Sequence, residues 1–126
     1  MTITAADISS FEDSLNQKLA VHNAQFKMTV HFSFDRLNDP RNNPPITMAE
    51  LKSIFERLLS QHLNAILVLD DNDTFNIKCT TSHINMPCGV RKVSNPNNGT
   101  ITQKNVVITV MRKKGFFAKD KIEFKV

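Results

Sequence analysis

The residues with the greatest potential for chemistry lie close together in the first third of the chain. Twelve consecutive residues beginning at His31 hold one histidine, two arginines, two aspartates and two asparagines. A histidine can take or give a proton near neutral pH, and an arginine can hold a phosphate through two parallel hydrogen bonds. These side chains suit metal-free phosphodiester transfer, with His31 as the base and Arg36 and Arg41 at the phosphate. The alternative is structural: Asp35 and Asp39 pair with the two arginines and shape a turn.

Charge is distributed unevenly along the 126 residues. The net charge is −4 over residues 1–75 and +8 over residues 76–126. Lysines that protect sheet edges from aggregation account for part of this excess. The rest indicates RNA as the partner, because phosphates need cations and unpaired bases need flat apolar surfaces. Lys113 is assigned to the scissile phosphate with the early cluster. The expected RNA-binding residues are Arg91, Lys92, Arg112, Lys114, Phe116 and Lys119, with Phe117 beside them.

Two helices are expected ahead of this basic half. The first is predicted over residues 5–21 by apolar residues three and four positions apart, at Ile8, Phe11, Leu15 and Leu19. The second is predicted over residues 48–62, because Thr47 and Glu50 have the spacing of a capping box.

Beyond the second helix the pattern becomes extended. Short segments rich in Val, Ile, Thr and Phe, separated by turn residues, predict strands. They cover residues 65–69, 74–80, 90–94, 99–111 and 121–126. Helices followed by strands is the α+β order. We therefore expect a single domain, residues 1–126, with two N-terminal helices packed on a twisted antiparallel sheet of four to five strands. Residues 26–34 also alternate between apolar and polar types, which predicts a strand.

Several classes of protein and site do not fit the sequence. Cys79 and Cys88 lie nine positions apart without a histidine at zinc-finger spacing, so no metal site is expected and both cysteines are expected to be thiols. With three glycines and no Gly-rich phosphate loop, no cofactor is expected. The longest apolar run has five residues, against the ~18 of a membrane span, and the first residues lack a secretory signal. A cytoplasmic protein is expected.

The chain also holds several short, separated motifs. They are His31-Phe32, Asp35-Arg36, Asn38-Asp39-x-Arg41-Asn42, Ile46-Thr47 with Glu50-Leu51, Ile84-Asn85-Met86-Pro87 and Thr109-x-Met111-Arg112-Lys113-Lys114-x-Phe116. Together, over residues 28–126, they resemble a family of small proteins encoded by tailed bacteriophages. The resemblance implies action in the cytoplasm of an infected host, or packaging in the virion.

The layout as a whole resembles the barnase, EndoU, colicin and RelE group of RNases, especially the RegB-type phage endoribonucleases. In that group a helix carries His-x-x-Asp-Arg, so the resemblance favours a helix where residues 26–34 alternate. It implies metal-independent cleavage that leaves a 2′,3′-cyclic phosphate, with His31, Asp35, Arg36 and Arg41 at the motif positions. This chain departs from the motif, because the histidine and the aspartate are four residues apart instead of three. That difference moves the histidine by about 100° around an α-helix.

The sequence thus predicts an RNA-binding protein that is a metal-independent endoribonuclease. Two alternatives stay open: a non-enzymatic adaptor or inhibitor that binds nucleic acid or a host protein, and a virion accessory protein with a structural motif. His83, in a polar turn, is either a second acid or base or a plain turn residue. An active site requires His31 and Arg36 to converge with Arg112 or Lys113 in one concave site, whereas an adaptor does not.

Overall fold

The computed structural model describes residues 3–116 and 121–126 of the protein. The helical elements are α1 (Ala5–Leu19), a short 3₁₀ turn (Ala20–His22), a π-helical segment (His31–Arg36) and α2 (Met48–Leu67). The strands are β1 (Ala24–Met28), β2 (Thr74–Lys78), β3 (Ile84–Ser94), β4 (Ile101–Val107), β5 (Met111–Arg112) and β6 (Ile122–Lys125).

Both α-helices begin with a capping box. At the start of α2 the Thr47 hydroxyl accepts a hydrogen bond from the Glu50 amide at 3.1 Å, and the Glu50 carboxylate accepts one from the Thr47 amide at 3.0 Å. Thr4 and Asp7 do the same for α1. These bonds satisfy amides that have no partner inside the helix. The predicted start of α2 is confirmed.

Helix α2 is longer than predicted, and it includes part of the segment 65–69 that we expected to be a strand. That prediction is wrong because a short apolar run fits a buried helix end as well as a strand. Ile66 is buried and continues the stripe formed by Leu51, Ile54, Phe55 and Leu58.

Within residues 3–116 and 121–126, no helix is long and apolar enough to cross a membrane.

The sheet has the order β1-β4-β3-β2-β6, and β5 pairs with β3 beside this path. The α+β class is confirmed. The sheet is mixed, however, where an antiparallel one was expected: β1 runs parallel to β4, and β2 runs parallel to β6. Strand β1 comes from the chain ahead of α2 and joins the edge of the sheet from outside the β2-β3-β4 meander. Its partner is far away in sequence, so the local pattern could not reveal it.

The helices cover one face of the sheet. Phe55 of α2 lies between Phe11 of α1 and Phe26 of β1, with ring centroids 5.4 and 5.2 Å away, and the edge-on geometry is typical of favourable aromatic pairs. Buried apolar side chains from both helices and from the sheet form one cluster. Burying each large apolar side chain of this kind stabilises the fold by about 1.5–3 kcal/mol. The opposite face of the sheet is more polar and carries Arg91 and Lys104, which pair across β3 and β4.

The alternating segment 26–34 adopts two conformations in succession. The chain is a strand through Met28, as its alternation predicts, and it turns helical from Val30. The Leu37 amide donates to the Phe32 carbonyl at 3.0 Å, the five-residue spacing of a π-helix. The strand prediction is therefore wrong for the second half of the segment. His31 lies on a helical turn, as the motif resemblance favours.

Candidate functional site

All four residues predicted to be catalytic line one cleft at the edge of the sheet. Because β1 and β4 are parallel neighbours, the segments that follow them leave the sheet at the same edge. The π-helical segment follows β1, and residues 109–113 follow β4. Between them lies a cleft of about 510 Å³ that is lined by His31, Arg36, Arg41 and Lys113.

Thr29 ties the two sides of this cleft together where they leave the sheet. Its amide donates a hydrogen bond to the Val107 carbonyl at 3.2 Å, and its hydroxyl donates one to the Ile108 carbonyl at 2.8 Å. The same hydroxyl accepts from the Phe32 amide at 3.0 Å, at the start of the π-helical segment. The helical turn that carries His31 is thereby fixed to the exit of β4.

The His31 ring has a partner on each nitrogen. Nδ1 lies 3.1 Å from Asp35 Oδ2, and Nε2 lies 3.1 Å from Arg36 Nε. An arginine N–H only donates, so Nε2 must accept, and the ring proton is assigned to Nδ1, which donates to Asp35. In this tautomer the basic lone pair of His31 sits on Nε2, on the side of Arg36. The aspartate holds the ring in the orientation that a general base requires.

The four-residue spacing does not separate His31 from Asp35. Residues four apart are neighbours on a helical surface, and the π-helical turn is wider than an α-turn. The departure from the three-residue motif is therefore accommodated by the local geometry, and the 3.1 Å contact results.

The two arginines share one carboxylate. Asp39 Oδ2 accepts from Arg36 Nη1 at 3.3 Å and from Arg41 Nη2 at 2.8 Å, and Asp39 Oδ1 accepts from Arg41 Nε at 3.1 Å. The structural alternative predicts that Asp35 and Asp39 pair with the two arginines. Asp39 does so, whereas Asp35 pairs with His31. Each guanidinium keeps one terminal nitrogen, Nη2 of Arg36 and Nη1 of Arg41, without a hydrogen bond to the described part of the chain. Both cations can therefore bind a further anion.

Arg112 borders the cleft, but its guanidinium is already bound on every nitrogen. Nε donates to the Pro44 carbonyl at 2.7 Å, and Nη1 donates to the Ser82 carbonyl at 2.8 Å. Nη2 donates to the Pro45 carbonyl at 3.2 Å and to Glu50 Oε1 at 2.6 Å. The Arg112 side chain is 9% exposed. Its contacts are those of a structural arginine that holds the loop before α2 against β5, which differs from the RNA-binding role expected from its sequence.

Glu50 links this arginine to the helix cap. Burial raises the pKa of the Glu50 carboxyl, but the hydrogen bond and the charge of Arg112 and the hydrogen bonds from Thr47 outweigh it, so the pKa lies below 4.5. The carboxylate is therefore charged at neutral pH. It satisfies the amide of Thr47 and the guanidinium of Arg112 at once.

Asn42 connects the two sides of the cleft, whereas the sequence placed it in the early cluster and in a motif without indicating a role for it. Its Nδ2 donates to the Arg36 carbonyl at 2.8 Å, and its Oδ1 accepts from the Arg112 amide at 2.9 Å. It is 6% exposed. An asparagine can donate and accept at once, so it can bridge two backbones. Its burial is the signal that identifies this role, and burial is not visible in the local sequence.

The remaining predicted RNA-binding residues do not gather at the cleft. Arg91 lies on the open face of the sheet, in a separate groove next to Gly89 and Ile108. Lys92 is half-buried near the end of β3, and its amide donates to Asp71 Oδ1 at 2.9 Å.

Along the chain after Lys113, Lys114 is exposed in the turn and Phe116 is half-buried. The Phe116 carbonyl accepts from Lys78 Nζ at 3.5 Å. Lys119 and Phe117 lie outside the described residues.

His83 approaches the cleft through its backbone only. Its carbonyl accepts from the Lys113 amide at 2.9 Å, and its φ angle of 61° is the left-handed conformation of a tight turn. Its side chain is exposed and does not line the cleft.

Cys79 lies apart from the cleft in an unexpected environment. Burial raises the pKa of its thiol, but hydrogen bonds from Ser82, Thr81 and Arg57 outweigh this and lower the pKa from 9.0 to about 6. Arg57 Nη2 is 3.6 Å from the sulfur, and Thr81 Oγ1 is 3.4 Å from it. The sequence indicated only a small buried side chain here, because Arg57 comes from α2, far away along the chain.

No protein-family model, curated protein or solved structure matched this chain. The resemblances to the phage family and to the RNase group stay predictions from the motifs. Among the residues that the structure describes, no group of three or more His, Cys, Asp or Glu side chains is placed to hold a metal ion.

Proposed function

We propose that this protein binds RNA and cleaves it without a metal ion, in the cleft between the π-helical segment and residues 109–113. One observation carries the proposal. His31, with its basic nitrogen fixed by Asp35, shares a cleft of about 510 Å³ with the cations of Arg36, Arg41 and Lys113. A base beside a cluster of phosphate-binding cations is the arrangement that this reaction requires.

The proposed reaction uses the 2′-hydroxyl of RNA as the nucleophile. His31 Nε2 takes the proton of the 2′-hydroxyl, and the 2′-oxygen forms a bond to phosphorus. The bond from phosphorus to the 5′-oxygen breaks, and the 5′-oxygen takes a proton from water. The protonated His31 then gives its proton to the hydroxide that remains. The products are a 2′,3′-cyclic phosphate and a 5′-hydroxyl end.

The cations of the cleft have a separate role in this proposal. Negative charge grows on the phosphate oxygens during the reaction, and fixed cations stabilise that charge more than they stabilise the bound substrate. Arg36 donates to His31 Nε2 in the free protein. A phosphate in the cleft offers Arg36 a charged acceptor in place of a neutral one, and charge-assisted hydrogen bonds are the stronger ones. Substrate binding therefore releases the histidine nitrogen for the 2′-hydroxyl.

A second candidate function is binding without cleavage, as in an adaptor that acts on RNA or on a host protein. The pairing of both arginines with Asp39 favours it, because this pairing gives the cations a structural task. The origin in a tailed bacteriophage and the action in a host cytoplasm or virion belong to the same proposal and are supported by the motifs.

The two candidates are separated by incubating the purified protein with single-stranded RNA of mixed sequence in EDTA and analysing the ends. The nuclease proposal expects 2′,3′-cyclic phosphate and 5′-hydroxyl ends. DNA of the same sequence is the matched control, since it lacks the 2′-hydroxyl and must stay intact. RNA that is bound and never cut would identify the adaptor.

A further inference from the structure

An exposed aromatic side chain lies on the same helical turn as His31. Of the eight phenylalanines that the structure describes, six are buried, Phe116 is half-buried and Phe34 is 64% exposed. Val30, four residues earlier, is 72% exposed. Residues four apart are neighbours on a helical surface, so Val30 and Phe34 form one apolar patch.

This patch adjoins the side of the segment that faces the cleft. Val30 immediately precedes His31, and Phe34 immediately precedes Asp35, so the patch and the Asp35–His31 pair occupy adjacent strips of one turn. Val30 and Phe34 also border a shallow groove of about 190 Å³ that includes Lys27. A ligand that extends out of the cleft over this turn would meet an aromatic ring and then Lys27, whose ammonium lies 3.6 Å from Glu12 Oε1 in the same groove.

We propose that Phe34 stacks against an unpaired base of the RNA whose phosphate lies in the cleft. This inference rests on the proposed function and specifies its substrate as single-stranded RNA. An exposed ring beside a row of cations matches the alternation of base and phosphate along a single strand. A duplex does not fit as well, because its bases are already stacked on each other. The patch and the cleft thus have one occupant.

Phe34→Trp gives a direct probe, because the chain has no tryptophan and no tyrosine. The titrant is a single-stranded 2′-O-methyl octamer of mixed sequence, which cannot be cut at the methylated positions. If the ring stacks on a base, the fluorescence of the new tryptophan should be quenched as the octamer binds. The midpoint of this titration should equal the midpoint measured by the fluorescence anisotropy of a labelled octamer. Val21→Trp is the matched control, because Val21 is exposed on the 3₁₀ turn and does not border the cleft or the groove. An octamer of abasic nucleotides should bind without quenching the tryptophan at position 34.

Phe34→Ala tests the contribution of the ring to affinity. We expect octamer binding to weaken by about tenfold, the effect of losing one stacked base, while Phe34→Tyr binds as the wild type does. The affinity for the matching duplex should not change. Thermal melts of the three proteins should coincide, since the ring is exposed.

The outcomes separate this inference from the function on which it rests. If the wild type binds the octamer, but the tryptophan at position 34 is not quenched and Phe34→Ala binds normally, the stacking role is wrong and the nuclease proposal stands. If the wild type binds no RNA of any kind, both are wrong. If Phe34→Ala binds RNA normally and loses self-association instead, the patch is a protein contact and the stacking role is again wrong.

Discussion

The two walls of the cleft differ in how their cations are held. One wall, formed by the π-helical segment and the turn after it, residues 31–42, carries Arg36 and Arg41, which bind one shared carboxylate and each keep a terminal nitrogen without a hydrogen bond to the described residues. The strand wall, residues 109–113, carries Arg112 and Lys113 side by side. The Arg112 guanidinium is enclosed by three carbonyls and a carboxylate, whereas Lys113 is exposed.

This contrast shows that two adjacent cations in one chain segment can have opposite surroundings. Both appear in the sequence as members of a basic cluster. Arg112 carries five N–H donors, and the carbonyls of Pro44 and Pro45 before α2 and of Ser82 in the β2–β3 turn accept from it. Lys113 has no such acceptors around it in the described part of the chain, so its charge is available to a ligand.

Arg112→Ala should have the largest effect on stability. Removing the guanidinium takes away the charged partner of Glu50 and the donors to three carbonyls, and breaking a largely buried ion pair costs about 3 kcal/mol. Lys113→Ala should stay within about 0.5 kcal/mol of the wild type, as is usual for an exposed side chain. Urea unfolding of both variants measures the difference. Equal stabilities would contradict the structural assignment of Arg112.

Thr47→Ala should destabilise the protein by about 1 kcal/mol, because it removes the hydroxyl that caps α2. Thr4→Ala, at the other capping box, is the matched comparison and should cost a similar amount at α1. The Thr47 hydroxyl also lies 3.3 Å from Glu50 Oε1, the oxygen that Arg112 binds. We therefore expect the losses in unfolding free energy caused by Thr47→Ala and Arg112→Ala to be non-additive in a double-mutant cycle. Strictly additive losses would contradict an energetic coupling between Thr47 and Arg112.

Glu50 should make the strand wall sensitive to acid. Arg112 and Thr47 hold the pKa of Glu50 below 4.5 in the folded protein, against burial, which raises it. A folded-state pKa that is lowered gives stability that is fully present above the unfolded value and is lost as the pH falls through the folded value. The stability difference between wild type and Glu50→Gln should thus be constant above about pH 5 and shrink below 4.5. Chemical unfolding over this range measures it, and a difference that grows on acidification would contradict the pairing.

The smallest expected effect concerns the salt dependence of RNA binding. Lys113→Ala should lower the slope of log K against log salt by about 0.7, the value for one phosphate contact with a single strand. Lys104→Ala, on the open face of the sheet, is the matched control and should leave the slope unchanged. A reduced slope for Lys104→Ala alone would indicate that RNA binds on the open face of the sheet and not in the cleft.

Local signals in the sequence were sufficient for α1 and for the start of α2. Helical periodicity and the Thr47–Glu50 spacing predict α1 and the start of α2, because both act within a few residues. The end of α2 was missed, since the run at 65–69 carries no local signal that distinguishes a helix from a strand. The parallel pairing of β1 with β4 was also missed, because its partners are about 80 residues apart.

In the candidate site, too, local signals predict some features, whereas features that depend on distant residues were missed. The residue types beginning at His31 predict proton transfer and phosphate binding, and the sheet brings them to Lys113. The sequence could not show that Asn42 joins the two walls or that Arg112 is enclosed. Both facts depend on hydrogen-bond partners from distant parts of the chain, and the burial that results appears only in three dimensions.

The His31→Ala variant tests the central claim most directly. Two quantities are measured in EDTA: the rate at which the variant cleaves RNA and its affinity for the same RNA. Because our proposal makes His31 the base that takes the proton of the nucleophile, we predict a loss of about 10²- to 10⁴-fold in the rate of a single turnover, with binding nearly unchanged. Cleavage by the variant at the wild-type rate would contradict the account.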